Sequence, residues 1–410
     1  MTAEQSAELV ETQPPRTRLV GRFGNDESGP RMIVTGGIHG NEPAGLVAIQ
    51  RVLDRLKRDR PPMTGSVVFL RGNVSAIENK VRYIDLDLNR QWNTEGMGAA
   101  YSEDEIPNRP SEHRELRELA AELGLLIETA SEQIVFLDLH TSSADGDPFL
   151  TVGDTLRNRR FAKRFPLSLI LGLEEQVDGA LLELLNNFGC VTMGVEAGKH
   201  DSPDSPLVHE AVVWLALVES GVMPRESVPD FDQHRDFLEK IRGELPRVIE
   251  VRSRHAIAAG DDFRMQPGYR NFQPLKAGEL VAHDNHGPIR TEDAGLILLP
   301  LYQGKGDDGF FVAREMHFVW LWLSAFLRRV RARGILRFLP GVRRDRKRPG
   351  EIIINTRIAR WYPLEVLHLF GYRKLRHTET ELHVGRRRYD FLEPSRVEFV
   401  VPSVPSKGTR

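Results

Sequence analysis

The 410-residue sequence holds one cysteine, Cys190, so no internal disulfide can form. A lone thiol in so large a chain suits a reducing compartment, and the cytosol is the expected location. The first residues, MTAEQSAELVETQPPRTR, lack a basic stretch followed by an apolar run, so no secretory leader is expected. Long greasy runs are scarce as well. The longest, Phe318 to Leu327, has ten residues where a bilayer needs roughly 20, so no transmembrane segment is expected and a buried helix carrying Trp320 and Trp322 into a core is. There is no internal repeat. With 40% hydrophobic and 28% charged residues the chain is long enough for two or three packed domains, which excludes a disordered or collagen-like polymer.

Charge of one sign is also missing overall, at a formal −2, but the balance conceals a division. From Ala325 onward there are 21 Lys and Arg against 8 Asp and Glu, a surplus of +13, while the preceding residues carry −15. The basic segment suits an anionic partner such as RNA, a phospholipid surface or an acidic subunit. Nucleic acid is not expected, because no RNA- or DNA-binding module accompanies the arginine clusters. A homo-oligomer is compatible with everything in the sequence.

Short β-branched runs alternate with helical periodicity over the first half. RMIVT (Arg31 to Thr35) opens into GGIHGNEPAG and a helix; SVVFLRGNV, QIVFLDLH and VTMGVEAG follow as strands buried on both faces. Helices are expected over SEHRELRELAAELGLLI, with Ser111 as its N-cap, and from Pro206 to Gly221. This alternation predicts an α/β fold with a mostly parallel central sheet. VPDFDQHRDF reads as a boundary, and the strand-only stretch beyond it as a small β domain. The expected division is an α/β hydrolase domain over 1–235, a small β domain with a return helix (Arg314 to Leu327) over 243–333, and a basic extension over 334–410. In the extension, PLEVLHLFGYRKL is expected to be helical between two strands.

Chemistry gathers at strand ends. His39 and Glu42 form a His-x-x-Glu pair just after a buried strand, at the carboxyl edge where open α/β sheets bind ligands. His140 ends another strand. Two imidazoles and one carboxylate leave a tetrahedral corner free, as a catalytic zinc ion needs for activating water, and Asp138 could orient an imidazole from behind. Glu196, ending VTMGVEAG's apolar run, is the candidate general base. VRYIDLDLNRQW supplies Asn89 and Arg90, a pair suited to holding a carboxylate, and Arg82, placed to steady an oxyanion; Asp85 and Asp87 read as partners of these arginines. His283 and His286 fit a hairpin tip, and Cys190 fits packing.

In their order, GGIHGNEPAG, RYIDLDLNR, DLHTSS and GVEAG resemble the signature blocks of the succinylglutamate desuccinylase/aspartoacylase family, relatives of the zinc carboxypeptidases. The resemblance spans about Met32 to Arg314. It implies one Zn2+ held by His39, Glu42 and His140, a carbonyl-polarising Arg82, a carboxylate-binding Asn89–Arg90 pair, Glu196 as base, and a carboxypeptidase-like α/β/α domain whose cleft a small β domain narrows. The implied activity is cleavage of the amide or ester bond of an N-acyl amino acid or a similar small carboxylate-bearing substrate. A peptide-trimming metallocarboxypeptidase and a non-catalytic anion-binding adaptor are the alternatives. Two places depart from the pattern of aspartoacylases: Asn186 stands near the place of their side-chain-binding arginine, and Phe310 and Phe311 stand where they carry a tyrosine, so the resemblance does not by itself imply aspartate-type selectivity.

Overall fold

The computed structural model describes residues 17–25, 28–102, 108–258, 260–330, 340–345, 351–355, 358, 369–377, 381–386 and 389–390. The strands are β1 (Leu19–Gly24), β2 (Arg31–Gly36), β3 (Ser66–Arg71), β4 (Ile134–Ser142), β5 (Phe149–Thr151), β6 (Ser168–Leu171), β7 (Val191–Lys199), β8 (Val248–Ala256), β9 (Arg264–Met265), β10 (Pro274–Leu275), β11 (Leu280–Asp284), β12 (Gly287–Arg290), β13 (Gly295–Leu298) and β14 (Asp308–Glu315). The extension adds β15 (Val342–Arg344), β16 (Glu351–Asn355), β17 (Tyr372–His377) and β18 (Glu381–Arg386). Among them run α1 (Ala44–Asp59), α2 (Val74–Asn79), α3 (Thr94–Tyr101), α4 (Ser111–Glu128), α5 (Leu156–Ala162), α6 (Leu181–Asn187), α7 (Ser205–Glu219), α8 (Phe231–Arg242) and α9 (Phe318–Arg329).

The architecture is α/β, as the sequence predicts. One sheet runs β1-β3-β2-β4-β7-β5-β6-β8-β14-β13-β10; its centre is parallel, with β2 between β3 and β4, and β4 beside β7. Central strands β2 and β4 are buried along their whole length, because helices cover both faces. On one face α1 sets Ala48, Ile49, Val52, Leu53 and Leu56 at helical spacing against Val34, Phe69 and Leu137. On the other, Leu116, Leu119, Ala120 and Leu123 of α4 meet Ile33, Val68 and Phe136. Truncating one such side chain, Leu53→Ala for instance, costs about 2–5 kcal/mol in a core of this kind.

Several expectations need correction. The strand-only stretch does not form a separate sheet: β8 pairs in parallel with β6 over Val248–Glu250 and antiparallel with β14, so β14, β13 and β10 prolong the central sheet. Only β12-β11-β9 stands apart there. VPDFDQHRDF is the beginning of α8, which packs on α7, and its Asp230 pairs with Arg55 of α1 at 2.6 Å. Arg314 and Glu315 belong to β14, so the return helix starts at Phe318. Ser111 does not cap α4; the Asp85 carboxylate accepts the Ser111 N–H at 2.8 Å instead. In the extension, GYRKL enters β17 rather than a helix, while 359–368 lie outside the described residues.

The largest surprise is α9. Trp320 and Trp322 are exposed (53% and 66%), not core, and the buried face of the helix carries Leu321, Ser324 and Arg328. Arg328 is drawn inward by charge: its guanidinium bonds Asp154 and Asp390, each at about the ordinary hydrogen-bond length (2.9 and 3.2 Å). Arg159 also pairs with Asp154, and Asp390 accepts the Leu156 N–H at 3.0 Å. This cluster ties α9 and the extension to the turn before α5.

Candidate active site

The loop after β2 reaches the sheet edge through glycines. Gly37 takes φ +74°, and a Cβ on Gly40 would lie 2.0 Å from the Ala76 carbonyl carbon, so the loop that carries His39 can pass this close to α2 only with a glycine at 40. His140 and Glu196 face each other in register across β4 and β7. The RYIDLDLNR loop is pinned from α4: Glu112 accepts the N–H groups of Ile84, Asp85 and Leu86, and Asp87 caps the turn at Leu88–Arg90 through the Asn89 N–H. Four stretches far apart in sequence are thereby brought to one pocket, lined by His39, Glu42, Arg82, Asn89, Arg90, His140 and Glu196 together.

The first two histidines converge on one carboxylate. Nδ1 of His39 lies 2.8 Å from Oε1 of Glu42, and Nδ1 of His140 lies 3.2 Å from its Oε2, which also accepts the Thr141 N–H. Each ring has a carboxylate behind it: Asp87 is 3.2 Å from Nε2 of His39, and Asp138 is 2.9 Å from Nε2 of His140. Thr35 donates to Asp138, fixing that carboxylate in turn. Ligand atoms of His39, Glu42 and His140 lie within 4.8 Å of one another.

The charges around the two rings do not cancel. Glu42, Asp87 and Asp138 contact them, and among the described residues Arg82 is the guanidinium that pairs with these acids, 3.0 Å from Asp87 and 3.7 Å from Glu42. With neutral imidazoles this leaves two negative charges in a buried place, which a divalent cation would balance. The protonation equilibria tell the same story. Burial works against charge on His140, yet Asp138 and Glu42 outweigh it and hold the ring's pKa well above the ordinary histidine value. Burial likewise opposes ionisation of Glu42, and His39 and His140 overcome it, keeping the carboxyl well below its usual range. A proton on His140 thus does part of a cation's work. Two imidazole nitrogens backed by carboxylates, with one carboxylate between them, form a donor set that fits zinc.

Glu196 differs from the other acids. No hydrogen-bond partner meets its Oε2, which is closed off from solvent although the residue as a whole is half-buried. Burial pushes its pKa up to about 8, against the pull of His140. Arg90 is not free in the pocket: Asp308 holds its Nη2 at 2.6 Å and also pairs with Arg254. Asn89 spends its Oδ1 on the Leu181 N–H, so its amide NH2 is the group it can offer.

Asp87 is a partner of Arg82, as the sequence suggests, whereas Asp85 serves α4. Cys190 is buried, with its thiol pushed up to about 12 by desolvation, and packs in the core. His283 and His286 flank the β11–β12 hairpin turn. Asn186 is buried and bonded to Asn158, so no cation stands there, and Phe311 lines the pocket. Sequence reasoning missed Asp308 and His200, which bonds Thr141 beside His140 and faces Gln303. Neither carries a local signal; only the fold brings 308 to 90. Among the described residues one further group of three donors lies close together, Asp345, Glu351 and His383 in the extension, each half-buried.

Residues 28–205 match the family model described as the succinylglutamate desuccinylase/aspartoacylase catalytic domain. Over that stretch, less than half of its length, the chain is similar to that family's catalytic domain. Among curated relatives, a succinylglutamate desuccinylase of Pseudomonas fluorescens is 33% identical over 84 residues, covering 20% of this chain and 23% of the relative. An N-acyl-aromatic-L-amino acid amidohydrolase of Xenopus tropicalis is 30% identical over 152 residues, covering 34% of this chain and 46% of the relative. The chain thus matches less than half the length of either. In structure, a succinylglutamate desuccinylase/aspartoacylase from Rhodobacter sphaeroides superposes with a TM-score of 0.51 at 18% identity, over 73% of this chain and 88% of that one. The ectoine utilization protein EutE (DoeB) of Ruegeria pomeroyi gives 0.51 at 17%, over 72% and 87%. At such identities the structural likeness speaks for the fold. The desuccinylase/aspartoacylase fold is shared; what this chain acts on has to be read from its own pocket.

Proposed function

We propose that the protein is a zinc-dependent amidohydrolase that cleaves the acyl–nitrogen bond of a small N-acyl amino acid. The observation that carries this reading is the meeting of the His39–Glu42–His140 donor set with an unpartnered acid, Glu196, in a pocket that also presents Arg82, Asn89 and Arg90. When bound, a zinc ion held by His39, Glu42 and His140 would supply Lewis-acid polarisation and a lowered pKa for a nearby water.

The chain's own groups do the rest. Arg90, held in place by Asp308, and the Asn89 amide grip the substrate carboxylate and set the scissile carbonyl toward Arg82. Glu196 takes a proton from the attacking water and returns it to the leaving nitrogen. Arg82 donates to the oxygen on which negative charge develops. Leu299, Pro300, Leu301 and Gln303 wall the pocket from the β13–β14 side, and a cavity of about 160 Å³ favours small substrates over peptides. Metal analysis of the purified chain, with hydrolysis of N-acetyl and N-succinyl amino acids measured beside short peptides, tests the proposal. One equivalent of zinc with turnover of the acyl amino acids is expected; turnover of peptides alone would replace it with a carboxypeptidase reading.

A further inference from the structure

The helix α9 is inside out. On a helical projection Val319, Trp322, Phe326 and Val330 form one stripe that faces solvent, with Leu323 half-buried at its edge, whereas Leu321, Ser324 and Arg328 face the protein. Val319, Trp322, Phe326 and Val330 are 47%, 66%, 48% and 54% exposed, and Trp320 beside them is 53% exposed. The rings of Trp322 and Phe326 stack at 5.7 Å, giving the stripe a flat aromatic ledge. Nothing allows α9 to roll over and hide this surface. Arg328 is clamped by Asp154 and Asp390, Arg159 reaches Ser324, and turning the helix would strand those buried charges.

A contiguous exposed apolar stripe marks a place where something else docks, and charge says what. Arg329 sits exposed at the rim, and from Arg329 to Arg348 the sequence holds nine Lys and Arg against one Asp. Aromatic and aliphatic residues projecting from a helix beside a polybasic run are the chemistry of an anionic lipid surface. The rings enter the headgroup boundary while the guanidiniums meet phosphates. A second copy of this chain fits worse, since it would bring one run of nine Lys and Arg, from Arg329 to Arg348, up against another. RNA fits worse as well, because among the described residues the exposed rings form one stripe, with no basic groove between them in which a strand could lie.

We propose that α9 docks the protein onto anionic membranes, with the stripe of Val319, Trp322, Phe326 and Val330 as the inserted element. The proposal is independent of the hydrolytic reading. The test uses the full chain, sedimented with vesicles of phosphatidylcholine alone and of phosphatidylcholine and phosphatidylserine in equal parts. Binding to the phosphatidylserine vesicles only, weakened by added salt, is expected. The doubly substituted Trp320→Ser/Trp322→Ser chain should bind roughly tenfold or more weakly, with an unchanged unfolding temperature and turnover. Should that variant fold poorly, Phe326→Ser provides the same comparison. Absence of binding, binding indifferent to these substitutions, a dimer or an RNA complex that they abolish without lipid: any of these overturns the proposal.

Discussion

The two buried charge clusters of this protein are built alike and balanced differently. Beneath α9, among the described residues, Asp154 and Asp390 face Arg159 and Arg328, two against two, and hydrogen bonds join them across elements. At the sheet edge, Glu42, Asp87 and Asp138 surround two imidazoles with one guanidinium among them, and Glu196 stands by with an unmet oxygen. A balanced cluster is a clamp. One left two charges negative is a receptacle, and its acid with a raised pKa has a proton to exchange.

The sharpest way to break this distinction is to remove a proposed ligand. His39→Ala or His140→Ala should leave the purified chain with little bound zinc and lower kcat/KM by about a thousandfold or more. The same decisive loss from a clamp residue, with zinc retained, would mean that the two clusters had been assigned the wrong way round. Next in size, Glu196→Gln should keep the zinc and lower kcat by roughly 10²–10⁴-fold. The substitution has a second signature in the metal-stripped chain. Folding raises the Glu196 pKa to about 8 from an ordinary glutamate value, so the native state binds the proton more tightly. That term is harmless below the unfolded pKa and costs stability progressively as pH rises towards about 8. The unfolding temperature of Glu196→Gln relative to the parent should therefore increase with pH across that window; a difference that shrank with pH would contradict the raised value.

How much of this was legible without coordinates follows the range of the interactions. The strand that leads to His39 and those that carry His140 and Glu196 show themselves through buried β-branched runs, and the turn glycines before His39 through GGIHG. Local pattern suffices there because each residue lies near or just beyond the carboxyl end of its own strand. Arg90's restraint by Asp308 was hidden, since nothing near either residue records a pairing across 218 positions. The orientation of α9 was misread for a related reason. A run such as FVWLWLSAFL is apolar on every side, so periodicity cannot choose its buried face; the choice falls to Arg328 and two aspartates distant in sequence. The apparent domain boundary failed because β8 is shared, its first residues pairing with β6 and its length with β14, which composition cannot reveal.

For the clamp, a stability effect without a chemical one is expected. Arg328→Ala leaves Asp154 and Asp390 facing each other with one guanidinium fewer and should destabilise the chain by about 3–5 kcal/mol in urea unfolding. Zinc content and kcat of the folded fraction should stay as in the parent. If zinc were lost along with stability, the turn after β5, whose Thr151, Val152 and Gly153 line the pocket, would have to transmit the change.

Asp308 tests the middle ground, because it belongs to a paired cluster yet lines the pocket. Its two roles make opposite demands: the hydrogen bond to Arg90 aims the fork, while the negative charge opposes an incoming carboxylate. Asp308→Asn separates them, since an amide oxygen still accepts from Arg90 but carries no charge. If aim is what matters, Arg90 stays in place within a more positive pocket, and KM for acyl amino acids should fall roughly three- to tenfold with kcat little changed. A raised KM would show instead that the charge itself, shared between Arg90 and Arg254, is what holds the fork, and would move Asp308 from the clamp's logic to the receptacle's.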